Sequence, residues 1–168
     1  SQLDAVLSDL HVTAIKIGMV PNASIAHVIA TQLRNYLTQH HDCFVIYDPI
    51  MVSTSGKRLM EGKCTQAVSK ELFPLCTLVT PNIPEASVLL QHEYLGENDG
   101  KELTQKFPTN FLVKGGHGKG DMLFDTLFTP NQEPRVFPTE KIDSHNLHGT
   151  GCTLSSAIAS YLLLGNSL

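Results

Sequence analysis

Apolar residues gather in short, β-branched runs at residues 13–19, 43–47, 77–80 and 110–114, separated by longer stretches of helical period. Such alternation marks a largely parallel sheet covered by helices, so the predicted class is α/β, a three-layer α/β/α arrangement with an edge hairpin. Between the first two runs, Ile25, Val28, Ile29, Leu33, Tyr36 and Leu37 keep one helical face, which stops near His40-His41. A second helix is predicted around 65–72, and a last one over 153–164, where Leu154, Ala157, Ile158, Tyr161 and Leu162 share a face. Segments 122–128 and 135–137 flank Pro130-Asn131-Gln132 and predict a β-hairpin. The loop Ser53-Thr54-Ser55-Gly56 breaks regular structure and is expected to move. Residues 3–10 read as the end of a helix feeding the first strand, and Gly165-Asn166-Ser167-Leu168 as a cap leading into a further helix. No repeat or linker divides the chain, so one domain over 1–168 is expected.

Composition narrows the function classes. The 168 residues carry 12 Lys+Arg against 16 Asp+Glu, a formal charge of −4, and no basic cluster, which removes the electrostatic footprint of a nucleic-acid-binding protein. No apolar run approaches the roughly 20 residues that span a bilayer, and Ser1-Gln2-Leu3-Asp4 does not open a signal peptide. A cytoplasmic protein without a membrane partner is expected. Cys43, Cys64, Cys76 and Cys152 lie far apart with no C-x-x-C pair, so neither a disulfide framework nor a cysteine zinc site is indicated.

In open parallel sheets, ligands sit beyond the carboxyl ends of the strands, where helix N-termini also point free N–H groups. The unusual residues fall there: Met19 after the first strand, Asp48 after the second, Asn82 and Glu85 after the third, Lys114 after the fourth, and Gly149-Thr150-Gly151-Cys152 before the last helix. The Gly-Thr-Gly-Cys run could cradle a phosphate on backbone N–H groups, or be an ordinary glycine turn with Thr150 as a cap; it lacks the lysine of a Walker A loop. Asn82-Ile83-Pro84-Glu85 could hold hydrated Mg²⁺ on nucleotide phosphates, or simply cap a helix, and the two are compatible. Asp48 and Lys114 each end an apolar strand where burial needs a partner, which implies a polar ligand; Lys114 beside Gly115-Gly116 could stabilise charge on a moving phosphoryl group. His117 and His148 stand near the same loops and read as surface or capping residues.

These stretches together resemble the hydroxymethylpyrimidine/phosphomethylpyrimidine kinases of thiamine biosynthesis, within the ribokinase-like superfamily. The resemblance rests on Lys16-Ile17-Gly18-Met19, on Asp48-Pro49-Ile50-Met51 with the following loop to Gly56, on Thr80-Pro81-Asn82-Ile83-Pro84-Glu85-Ala86, on Val113-Lys114-Gly115-Gly116-His117, and on His148-Gly149-Thr150-Gly151-Cys152-Thr153. It implies a transferase that moves a phosphoryl group from ATP, with Mg²⁺, to 4-amino-5-hydroxymethyl-2-methylpyrimidine and then to its monophosphate. It further implies that Gly149, Thr150, Gly151 and Cys152 surround the transferring group, that Lys114 contacts ATP phosphates, and that Asn82, Glu85 and Asp48 organise Mg²⁺. Met19, Ile50 and Cys152 would line the pyrimidine pocket. Many sugar kinases of the superfamily place an aspartate base where Cys152 stands, so the cysteine favours the pyrimidine branch and leaves two roles open: a thiolate accepting a proton, or a contact to the acceptor.

The family supplies an earlier segment with a strand, a glycine-rich turn and an acidic residue that grips the pyrimidine, and a later helix and strand near adenine. Their counterparts are not found between Ser1 and Leu168, so a fragment or part of a larger chain is expected. The alternatives are a pyridoxal kinase of the same superfamily and a nucleotide-binding fragment without turnover. The resemblance also suggests a homodimer.

Overall fold

The computed structural model describes residues 2–51, 60, 62–116, 121–143 and 149–168. The chain runs α1 (Gln2–Asp9), β1 (Ala14–Ile17), α2 (Ala23–Leu37), β2 (Phe44–Tyr47), α3 (Gly62–Ala67), a π-helical turn (Val68–Leu72), a 3-10 turn (Phe73–Leu75), β3 (Leu78–Val79), α4 (Ile83–Leu90), α5 (Glu97–Lys106), β4 (Asn110–Val113), β5 (Met122–Phe128), β6 (Arg135–Glu140) and α6 (Thr150–Leu163).

The strands form one six-stranded sheet in sequence order, β1 to β4 parallel and β5 and β6 antiparallel. Because each parallel strand lies beside its predecessor, right-handed crossovers bring α2, α3 and the α4–α5 pair to the same face. Side chains of a strand alternate between faces. Val45, Tyr47, Val79, Phe111 and Val113 enter the larger core with Leu33, Leu72, Phe73, Leu89 and Leu103. Ile46, Leu78, Leu112 and Leu127 face the other way and pack on Ala159 and Leu162 of α6. The predicted α/β class and the edge hairpin are both found. Between α6 and its face lies an apolar cavity of about 300 Å³, lined by Leu78, Leu112, Leu127, Phe137, Leu154 and Ile158 among others.

Several boundaries differ from those the sequence predicts. The first strand stops at Ile17, because Gly18 and Met19 leave the ladder for the rim. The helix expected over 65–72 starts at Gly62 and changes to a π turn at Val68. The last helix begins at Thr150, not 153: Gly149 takes a left-handed φ of 81° as its N-cap, so Thr150, Gly151 and Cys152 are already helical. The polar helix α5 was not predicted, since it buries only Gly100 and Leu103. Gly165, at φ 85°, does end α6 as its sequence suggests. The expected mobile loop at 53–56, His117 and His148 lie outside the described residues. Among the described residues no helix is long and apolar enough to cross a membrane.

Candidate functional site

Backbone hydrogen bonds continue past the ends of three neighbouring strands and fix the rim. Asp48 N–H donates to Ile17 O at 2.9 Å, Thr80 N–H to Tyr47 O at 2.9 Å, and Lys114 N–H to Pro81 O at 2.8 Å. Asn82 and Lys114 thereby pair as an isolated parallel bridge beyond β3 and β4. The diglycine turn after Lys114 is held by Asp125 of β5, whose Oδ1 accepts the Gly115 N–H at 2.8 Å.

The side chains follow from this frame. Lys114 Nζ donates to Asp48 Oδ1 at 2.7 Å, with the two side chains 15% and 3% exposed. Thr80 Oγ1 donates to the same oxygen at 3.3 Å. A carboxylate this buried requires such partners, since desolvation of a lone charge would cost several kcal/mol. Glu85 is also buried, and both its oxygens are used: Oε2 accepts from Asn82 N–H at 2.8 Å and Oε1 from Met51 N–H at 3.3 Å. The Asn82 side chain returns the contact by accepting Glu85 N–H at 2.9 Å, so the capping reading of this motif is correct. Burial pushes the Glu85 carboxyl up, against the lowering effect of the Asn82 N–H, the Lys114 charge and the Met51 N–H, while the Asp48 charge adds to the rise.

The N-terminus of α6 closes over the ion pair. A Cβ placed at Gly151 would lie 3.3 Å from Lys114 Nζ and 3.4 Å from Asp48 Oδ2, so the helix end lies tight against the pair. No side chain caps Gly149, and the N–H groups of Gly151 and Cys152 lie in the first turn, ahead of the helix's own ladder. They add the positive end of the helix dipole to the lysine charge, which suits an anion. Cys152 is half-buried on the same turn. Met19 is exposed, and Ile50 lies beside Gly18, its Cδ1 3.9 Å from where a glycine Cβ would stand.

The structure therefore brings Asp48, Lys114, Gly151, Asn82 and Glu85 into one cluster, with Met19 and Ile50 at its β1–β2 side. It adds three groups that sequence reasoning did not assign. Thr80 donates to Asp48, the Met51 N–H ties the β2 loop to Glu85, and Lys16 brings a second ammonium to the rim, its Nζ 3.2 Å from a Cβ built at Gly18. Only the lysine, a charge in a β-strand, leaves a sequence signal; the other two are tertiary contacts. Asp48 and Glu85 place buried carboxylate oxygens at this rim, the donor type that a hydrated divalent cation takes.

The chain as a whole resembles known proteins. The chain matches the family described as phosphomethylpyrimidine kinase over residues 1–168. It is 38% identical over 170 residues to a hydroxymethylpyrimidine/phosphomethylpyrimidine kinase of Rhizobium meliloti, covering 98% of the chain and 62% of that relative. Among solved structures it resembles a phosphomethylpyrimidine kinase from Clostridium difficile, with a TM-score of 0.77 and 35% identity over 99% of this chain and 67% of that one. It also resembles an ADP complex of Bacillus subtilis pyridoxal kinase, with a TM-score of 0.82 and 29% identity over 99% of this chain and 62% of that one. The chain thus spans less than two thirds of the length of the curated relative.

Proposed function

The chain belongs to the phosphomethylpyrimidine kinase family, and from that premise we propose that it transfers a phosphoryl group from ATP to 4-amino-5-hydroxymethyl-2-methylpyrimidine and then to the monophosphate. The observation that carries the reading is the Lys114–Asp48 pair lying directly under the N-terminus of α6. The chain's own hydrogen bonds hold the strand-end pair beneath the helix end, a preorganisation that phosphoryl transfer rewards.

In the first step the hydroxyl oxygen of the acceptor forms a bond to phosphorus, the bond from phosphorus to the ADP oxygen breaks, and the hydroxyl proton leaves. Lys114 places a positive charge beside that phosphoryl group, and the N–H groups of Gly151 and Cys152 receive its oxygens. Asp48 positions the lysine. Cys152, on the same turn, faces the acceptor and either takes the proton or holds the acceptor oxygen; Met19 and Ile50 complete an apolar wall for the ring. In the second step the acceptor is a phosphate oxygen, which carries little proton to remove. The oxygens of Asp48 and Glu85, with the Asn82 amide, would hold Mg²⁺, whose charge would offset that of the nucleotide phosphates. Two buried carboxylates at one rim, of which Asp48 pairs with Lys114, supply the oxygen donors that such an ion takes.

The fold alone does not choose the acceptor, since the pyridoxal kinase structure has the higher TM-score. Sequence identity and the Gly-Thr-Gly-Cys run favour the pyrimidine. Treating residues 1–168 as one kinase domain, working as a homodimer in the cytoplasm, rests on the family resemblance. ADP release with Mg·ATP, measured in parallel with the hydroxymethylpyrimidine and with pyridoxal, tests the proposal: turnover with the pyrimidine is expected. Turnover confined to pyridoxal, or ATP binding without turnover on either ring, overturns it.

A further inference from the structure

At the opposite end of β1 and β2 from this rim, His11, His40 and Asp42 bring one ligand atom each to within 4.8 Å of one another. His11 lies on the α1–β1 connection, whereas His40 and Asp42 belong to the turn from α2 into β2. The group is therefore assembled by the fold, not by local sequence. His11 Nε2 and Asp42 Oδ2 are 3.9 Å apart, beyond a hydrogen bond, with side chains 62% and 67% exposed. Among the described residues no hydrogen bond occupies the ring nitrogens of either histidine.

One buried tyrosine packs on the His40 ring and ties down the backbone beside His11. The Tyr36 ring stacks on His40 with centroids 4.0 Å apart at 17°. Its hydroxyl accepts the Val12 N–H at 2.6 Å and donates to Val12 O at 3.0 Å, fixing the backbone next to His11. A second cluster, His92, Asp99 and Glu102, lacks this freedom. Its His92 nitrogens are engaged by Glu93 O at 3.0 Å and Glu102 Oε2 at 3.2 Å, and Asp99 accepts the N–H groups of Leu95 and Gly96.

We propose that His11, His40 and Asp42 form a binding site for a borderline transition-metal ion such as Zn²⁺, which clips the start of β1 to the start of β2. Two imidazoles and one carboxylate suit Zn²⁺ and its neighbours in the first row, and leave a position for water. Tetrahedral ligation at 2.0–2.2 Å needs ligand atoms roughly 3.4 Å apart. The His11 and Asp42 side chains are exposed, at 62% and 67%, which leaves their rotamers free to adjust toward that spacing. The site differs in place and in ligand chemistry from the carboxylate site at the rim, which suits Mg²⁺.

Zn²⁺ titrated by calorimetry into the full chain, without nucleotide and in buffer free of chelators, tests this. One equivalent is expected, with affinity falling at least tenfold in His11→Ala, in Asp42→Asn and in His40→Ala, and unchanged in His92→Ala. Co²⁺ bound in the same place is expected to give visible d–d absorption that His11→Ala abolishes. His11 and Asp42 are exposed, so their variants keep the test open if His40→Ala unfolds. No binding, binding retained in the His11→Ala/Asp42→Asn double variant, or loss confined to His92→Ala overturns the proposal.

Discussion

Lys114 Nζ sits 2.7 Å from Asp48 Oδ1, joining the ends of β4 and β2 across 66 residues of sequence. Removing either partner strands the other. Lys114→Ala is expected to cost about 3–5 kcal/mol of stability, because the buried Asp48 charge is left unpaired. Asp48→Asn with Lys114→Met should recover a large part of that loss. A urea double-mutant cycle reads this directly, with coupling above about 1 kcal/mol expected; strictly additive losses contradict it. Each single variant should also lose turnover by orders of magnitude.

Gly151→Ala separates function from folding. An alanine is the better helix former by about 1 kcal/mol, so the melting temperature should hold or rise. Its methyl would lie 3.3 Å from Lys114 Nζ and 3.4 Å from Asp48 Oδ2, in the space the proposed mechanism gives to a phosphoryl oxygen. Turnover should fall at least tenfold. A variant with wild-type turnover would show that α6 does not bear on the reacting group.

Glu85 gives the rim a pH signature. Burial raises its carboxyl above the ordinary 4.5, so the folded protein binds this proton more tightly than the unfolded chain does. Stability attributable to this group is therefore greatest at low pH and declines as pH rises from about 4.5 through the folded-state value. Glu85→Gln cannot ionise, and its amide can accept only one of the two N–H groups from Asn82 and Met51. The variant should be less stable in acid yet lack that slope. Melting curves between pH ~4 and ~8 check the point, and parallel wild-type and variant profiles would count against it.

Cys152→Ala should lower the first phosphorylation more than the second, since only the hydroxyl acceptor brings a proton that must leave. Rates measured separately with the alcohol and with its monophosphate decide this. Equal losses would assign Cys152 to acceptor contact alone.

Much of this rim was legible in the chain because its groups follow apolar strands, and a charge there draws notice. Asn82 and Glu85 announced a capping box by spacing alone, and their mutual hydrogen bonds follow that spacing. What the sequence hid is tertiary. Nothing near Met51 marks its N–H as a partner of Glu85, 34 residues on. The start of α6 was misplaced because Thr150 and Gly151 read as turn residues, whereas the left-handed Gly149 carries the turn by itself. Helix α5 escaped notice since burial of Gly100 and Leu103 leaves almost no apolar stripe. The His11, His40 and Asp42 cluster depends on two connections meeting below the sheet, which periodicity does not report.

Phosphorus NMR of the chain incubated with Mg·ATP and 4-amino-5-hydroxymethyl-2-methylpyrimidine tests the central claim most directly. The account predicts a pyrimidine monophosphate signal that rises first and then gives way to the diphosphate as ADP accumulates. ATP converted to ADP and free phosphate, or left intact with no phosphorylated pyrimidine, contradicts it.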